Sequence, residues 1–193
     1  INMIEKCYPE MTAHLSTCRS PMSMFSPLIK EYWAKKIGVP AEKIYSVAMM
    51  PCTAKKDECK RPQLTRDGHP DTDLVLTTRE MAELIKLKGV NWDSLNPLPY
   101  DDPLGQSTGA AIIFGTTGGV MEAALRTGYE YITKKPLEKL DIMPCRGPEV
   151  LKEIAVDCNG LVVKAAVVHG GANCRKMIER VKRGEADYHF IEF

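Results

Sequence analysis

The pair Asn159-Gly160 sits between two apolar, β-prone runs in the segment EIAVDCNGLVVKAAVVHGG, residues 153–171. Asn-Gly readily takes the two positive φ angles of a type I′ turn, whose twist matches that of the strands it joins. The segment therefore reads as an antiparallel hairpin and commits this part of the chain to a sheet. Immediately after it the apolar period changes from two to that of a helix. Over 172–183, Met177, Ile178 and Val181 fall on one side. A last strand-like run follows at 188–193.

The same alternation holds upstream. Met24, Phe25, Leu28, Ile29, Tyr32 and Trp33 recur at helical spacing and predict a helix over 21–37, stopped by Gly38. Residues 44–50 read as a buried strand, and 73–76 as another short one. Thr77 or Thr78 then caps a helix with Glu80 in its first turn, running to about Lys88 and ended by Gly89. A polar loop extends from Asn91 to about Gly109. The glycine-rich bend FGTTGG, 114–119, opens a further helix carrying Val120, Ala123, Ala124 and Tyr129, and EKLDIMPCRG, 138–147, reads as a strand. Strands alternating with helices predict an α/β fold: helices layered on a mixed, mostly parallel sheet with one antiparallel hairpin. A chain of 193 residues suits a single domain, or one lobe of a larger one.

A net charge of +1 gives no support for nucleic-acid binding, and no apolar run approaches the roughly 18 residues of a membrane span. Seven cysteines, an odd number without any close pair, argue against a disulfide scaffold and against a self-contained zinc or ferredoxin-type site. Reduced-type cysteine usage leans towards a cytoplasmic location, with the periplasm as the alternative. The chain opens on Ile1 and stops on the β-like run DYHFIEF, so both ends read as cut.

Three segments carry possible chemistry. Pro51-Cys52-Thr53 follows the strand at 44–50, and ligands in α/β sheets sit beyond the carboxyl ends of strands. Pro51 ends ladder pairing because it has no N–H. Lys55 and Lys56 favour the thiolate of Cys52 and offer donors to an anion. Such a thiolate suits a soft-metal or iron–sulfur ligand; the plainer reading is a buried cysteine with solvated lysines. The bend at Gly115, Gly118 and Gly119 allows either an anion at a helix N-terminus or tight packing. In LSTCRSP, Ser16 and Ser20 are either caps and turn formers or proton relays. Cys145, in MPCRG, lacks the lysines that follow Cys52. The four histidines have no mutual spacing that implies a metal site.

Taken in order, HLSTCRSP, MMPCTAKKDECKRPQ, DTDLVLTTREMAELIK, PLGQSTGAAIIFGTTGGVMEAALR, PCRGPEVLKEIAVDCNG and ADYHFIEF resemble the large catalytic domain of the iron-only (FeFe) hydrogenases over essentially the whole chain. The resemblance implies oxidoreductase activity, the interconversion of protons plus electrons and H2. It implies an H-cluster: a 4Fe-4S cube joined through a cysteine sulfur to a diiron subcluster with CO, cyanide and a dithiolate. By the same resemblance Cys52 ligates the cube and Lys55 donates to a cyanide. Pro21, Met50 and Phe114 line the pocket, Ser16 belongs to a proton path, and Ser20 lies near the cluster. The family's remaining cluster cysteines come from a Thr-Ser-Cys-Cys-Pro segment and a Met-Ala-Cys-Pro-Gly-Gly-Cys segment, neither of which this sequence contains. The chain thus reads as the central portion of such a domain, inactive by itself. Its expected partners are the remaining segments of the hydrogenase and ferredoxin or another electron carrier. Met22 stands where relatives often have glutamine. The alternatives are an iron–sulfur assembly or hydrogen-sensing relative on the same fold, and a nucleotide-binding module using the 115–119 bend.

Overall fold

The computed structural model describes residues 1–106, 108–137 and 149–193 of the chain. Cys145 and the strand expected at 138–147 lie outside the described residues. The chain divides into two compact units, Ile1–Gly105 and Gln106–Phe193.

The first unit begins with a short helix, α1 (Asn2–Cys7), and a 3-10 turn, Pro9–His14. The helix expected over 21–37 is present with an irregular middle. It comprises α2 (Pro21–Leu28), a π-helical turn (Ile29–Trp33) and α3 (Ala34–Ile37). Pro27, inside α2, removes one helical N–H two residues before the π turn begins, where such irregularities tend to occur. Gly38 stops the helix in the left-handed region, φ +67°. Strand β1 (Val47–Met49) pairs in parallel with β4 (Leu74–Leu76), Val47 opposite Leu74. Between them lie α4 (Ala54–Glu58) and the tight pair β2 (Thr65–Arg66) and β3 (His69–Pro70). Helix α5 (Thr78–Leu87) closes the unit. Its start is a capping box: the Thr77 hydroxyl accepts from Glu80 N, and the Glu80 carboxylate accepts from Thr77 N.

Burial of β1 differs from expectation. Val47 and Met49 are exposed, because among the described residues β1 pairs only with β4, and it packs by one face. The packed face carries Ala48 and, just beyond the strand, Met50, which rest on Met22, Cys59 and Val75. The junction is held by buried polar contacts. Lys30 Nζ meets Asp73 Oδ2 at 2.7 Å and donates to the Pro70 carbonyl at 2.6 Å. Asp73 Oδ2 also accepts from Ser46 N at 2.6 Å. Thr72 donates to Ser26 at 2.7 Å.

In the second unit, α6 (Ala110–Ile113) precedes α7 (Gly119–Thr133). The predicted hairpin is present as β5 (Leu151–Cys158) and β6 (Leu161–Val168), with Asn159 at φ +60° and Gly160 at φ +90°. Helix α8 (Gly171–Lys182) then leads to β7 (Phe190–Glu192), which pairs in parallel with β6. Strand β6 is the buried centre of this sheet, and Ala165 to Val168 are nearly inaccessible. Met121 and Leu125 of α7 pack on Ala165, Val167 and Ile154. The architecture is thus α/β. Among the described residues it has three small sheets and two antiparallel pairs, where the sequence pattern suggests one sheet and one hairpin. None of the helices among the described residues is long and apolar enough to cross a membrane.

Candidate functional site

Pairing of β1 with β4 reaches Met50, whose N–H donates to the Leu76 carbonyl at 2.8 Å, and then stops at Pro51. Cys52 leaves the strand end with its side chain exposed. Its carbonyl accepts from Lys55 N at 3.2 Å, and that of Thr53 accepts from Lys56 N at 3.0 Å, which opens α4. The lysines are therefore helical, not extended. Successive helical side chains diverge by about 100°, so the two reach different partners. Lys56 Nζ contacts Glu80 Oε1 at 2.5 Å, in the capping box of α5. Lys55 Nζ contacts Glu58 Oε2 at 2.7 Å, one turn along its own helix.

Glu58 collects further donors. Its Oε1 accepts from the Ser20 hydroxyl at 2.5 Å and the Ser23 hydroxyl at 2.6 Å. Ser20 is also the N-cap of α2, accepting from Ser23 N at 3.3 Å. Desolvation pushes the Glu58 carboxyl towards a higher pKa. The hydrogen bonds from Lys55, Ser20 and Ser23, with the Lys55 charge, outweigh it and hold the group below the usual carboxylate range.

Ser20, Lys55 and Glu58 line one open cleft of about 640 Å³, together with Cys18, Ala54 and Arg61. Arg61 is fixed by paired contacts of 2.7 Å to Glu5. Pro21 is exposed at the first position of α2. Met50 is half-buried against the core beside Met22. Ser16 is exposed and does not line the cleft; its Oγ accepts from Cys18 N at 3.1 Å, a local turn contact. Phe114 belongs to the second unit, at the C-terminal end of α6. The structure thus brings Ser20 and Lys55 together and adds Glu58, which the motifs alone do not single out. The i, i+3 spacing of Lys55 and Glu58 is a signal for it only once α4 is known to be a helix.

The glycine-rich bend answers a separate question. Glu192, at the end of β7, accepts from Gly118 N at 3.0 Å and from Met121 N at 2.7 Å. The chain's own carboxylate therefore occupies the helix N-terminus that the nucleotide reading required. Gly118 adopts φ +88°, and a Cβ on Gly119 would lie 1.7 Å from the Ile113 carbonyl oxygen. Both glycines are demanded by backbone geometry.

The donor chemistry fits part of an iron–sulfur site. Cys52 offers one accessible thiol at a strand end, with an ammonium one helical turn away. Among the described residues no three His, Cys, Asp or Glu side chains converge as a metal site.

Known proteins point the same way. The family model for the C-terminal domain of the iron-only hydrogenase large subunit matches residues 1–193. The chain is 45% identical over 189 residues to the periplasmic iron hydrogenase large subunit of Nitratidesulfovibrio vulgaris, covering 98% of this chain and 45% of that protein. It is 43% identical over 192 residues to the NADP-reducing hydrogenase subunit HndD of Solidesulfovibrio fructosivorans, covering 100% of this chain and 33% of that one. It is also 30% identical over 198 residues to the cytosolic iron-sulfur assembly component 3 of Pongo abelii, covering 96% and 41%. An apo FeFe-hydrogenase from Chlamydomonas reinhardtii superimposes with a TM-score of 0.79 at 34% identity, covering 98% of this chain and 55% of that one. The chain spans less than half the length of these sequence relatives. On the match across its full length and on these identities, the chain belongs to the family of iron-only hydrogenase C-terminal domains, those of the large subunit.

Proposed function

We propose that the chain is the part of an iron-only hydrogenase catalytic domain that supplies one thiolate and one ammonium to an H-cluster, the whole protein interconverting protons plus electrons and H2. The observation that carries this reading is the strand-end arrangement. Cys52 is exposed beyond Pro51, and Lys55 stands on the helix that Cys52 opens, beside Ser20 in one cleft. When bound, the H-cluster supplies the electron transfer and the metal at which H2 is formed or split. The protein's own contribution is narrower. Cys52, as thiolate, holds one corner of the 4Fe-4S cube. Lys55 gives a charge-assisted hydrogen bond to the anionic ligands of the diiron subcluster. Pro21 and Met50 line that pocket, and Ser20 orients groups at its edge. Ser16 passes protons through its hydroxyl, which is both donor and acceptor. The other cube ligands come from the remaining segments of the hydrogenase, and electrons come from ferredoxin or a similar carrier. An odd number of cysteines with no close pair in sequence supports a cytoplasmic setting, while the Nitratidesulfovibrio vulgaris relative supports the periplasm as the alternative.

Similarity to an iron–sulfur assembly component favours a second reading, a non-catalytic member of the same fold. The higher identity to hydrogenases supports the first. The test is made in the full-length protein. Cys52→Ala removes the electron paramagnetic resonance signal of the cube, whereas Cys145→Ala leaves it intact. Equal loss in the two variants sinks the assignment of Cys52. A wild-type protein that carries the cube but neither evolves nor consumes H2 establishes the second reading.

A further inference from the structure

Three donors converge on the Glu58 carboxylate from two different helices. Ser20 and Ser23 reach Oε1 from the first turn of α2, and Lys55 reaches Oε2 from within α4. All three contacts are short, between 2.5 and 2.7 Å. Ser23 is almost completely buried, and the Lys55 and Glu58 side chains keep only 25% and 20% of their exposure. A lysine ammonium sits on a flexible four-carbon stem and is otherwise free to sample many directions. An ion pair at i, i+3 on an exposed helix restrains it weakly. Here the acceptor is itself immobilised by two hydroxyls of another element, so the restraint becomes a brace.

We infer that Glu58 is a positioning residue. It fixes the direction in which Lys55 presents its two remaining N–H donors to an anionic ligand, and it takes that direction from the N-terminus of α2 through Ser20 and Ser23. The inference rests on the proposed role of Lys55 as donor to the anionic ligands of the diiron subcluster. Charge and position make opposite predictions. As a bare charge, Glu58 repels an anion beside Lys55, so neutralising it strengthens anion binding. As a brace, its loss lets the ammonium wander and weakens binding, because a charge-assisted hydrogen bond depends on alignment. Glu58→Gln therefore separates the two effects by sign. The amide keeps the shape and can still accept from one serine, but it no longer pairs ionically with Lys55.

The experiment uses the full-length, cluster-loaded hydrogenase. Infrared bands of bound CO and cyanide report the direction and uniformity of the field around the diiron subcluster. Glu58→Gln is expected to broaden or shift the cyanide bands and to lower retention of the subcluster about tenfold, the size of one misaligned charged hydrogen bond. The cube signal stays unchanged. In a Lys55→Asn background the same change adds nothing, since the group it positions is gone. Sharp, unshifted bands or tighter retention in Glu58→Gln overturn the inference. If Lys55→Asn alone leaves the bands unmoved, the failure lies instead with the role of Lys55. Should Glu58→Gln fail to load the cube, Ser23→Ala carries the test, because it removes one of the two hydroxyls that tie Glu58 to α2 without changing charge. Broadened bands are then expected, and unchanged bands overturn the proposal.

Discussion

The buried pair of Lys30 and Asp73 sets where β1 begins, and Asp73→Ala tests that claim. The two side chains keep 9% and 15% of their exposure. Removing Asp73 strips Lys30 Nζ of its counter-charge and leaves only the Pro70 carbonyl, and it orphans the Ser46 N–H. Breaking a buried ion pair from one side costs about 3–5 kcal/mol. The surviving carbonyl contact places this case near the low end, and the orphaned N–H adds roughly 1 kcal/mol. The sum is about 4 kcal/mol. With a urea slope of about 2 kcal/mol/M, the midpoint falls by roughly 2 M. The double variant Lys30→Met/Asp73→Ala removes both charges and is expected to be more stable than Asp73→Ala, because no uncompensated ammonium remains buried. Equilibrium urea unfolding of the wild type, the two single variants and the double variant measures this. A midpoint shift below about 0.5 M for Asp73→Ala, or a double variant less stable than that single, refutes the reasoning.

Gly119→Ala forces a methyl to within 1.7 Å of the Ile113 carbonyl oxygen, and backbone cannot yield as a flexible side chain does. It is expected to destabilise the protein by roughly 3 kcal/mol or more, seen as a lowered thermal midpoint, whereas Gly115→Ala, with open space at its Cβ, costs well under half as much. Glu80 is held at about 2 by the hydrogen bond from Lys56 and by the Thr77 backbone and hydroxyl. A carboxyl depressed in the folded state contributes stability above its unfolded value of 4.5, and this is lost as pH falls towards 2. The stability gap between wild type and Glu80→Gln is therefore expected to be full at pH 6 and to shrink steadily below pH 4.5, and a pH-independent gap in denaturant unfolding contradicts it.

The parts of the fold that could be read from the sequence are those made by neighbours. Thr77 and Glu80 close a capping box across three residues. Asn159 and Gly160 turn a hairpin, and Gly38 ends a helix by its own positive φ. Even the unexpected β2–β3 pair carries such a signal, Asp67-Gly68 at φ +48° and +80°, but its strands are two residues long and too polar for alternation to register. Burial is less accessible. The run at 44–50 is apolar enough for a core strand, yet composition records only what a strand can tolerate on its faces. Which face is covered depends on partners far along the chain, and here β4 and Met22 cover one.

Separation along the chain also explains which parts of the site stayed hidden. Cys52 and Lys55 stand out because Pro51, the thiol and the lysines are adjacent. Glu58, the partner of Lys55, needs two more facts: that 54–58 is helical, and that Ser20 and Ser23 return 35–38 residues away to meet it. The glycine bend shows the same limit more sharply. Its composition admits an anion site or close packing, and both turn out to hold at once. Gly119 is there because α7 starts against the Ile113 carbonyl, while the anion at Gly118 and Met121 is Glu192, 71–74 residues away. A helix N-terminus asks only for negative charge. No local pattern distinguishes a ligand from the chain's own carboxylate, so the choice between binding site and structural clamp is made by the sheet that delivers β7 to that helix.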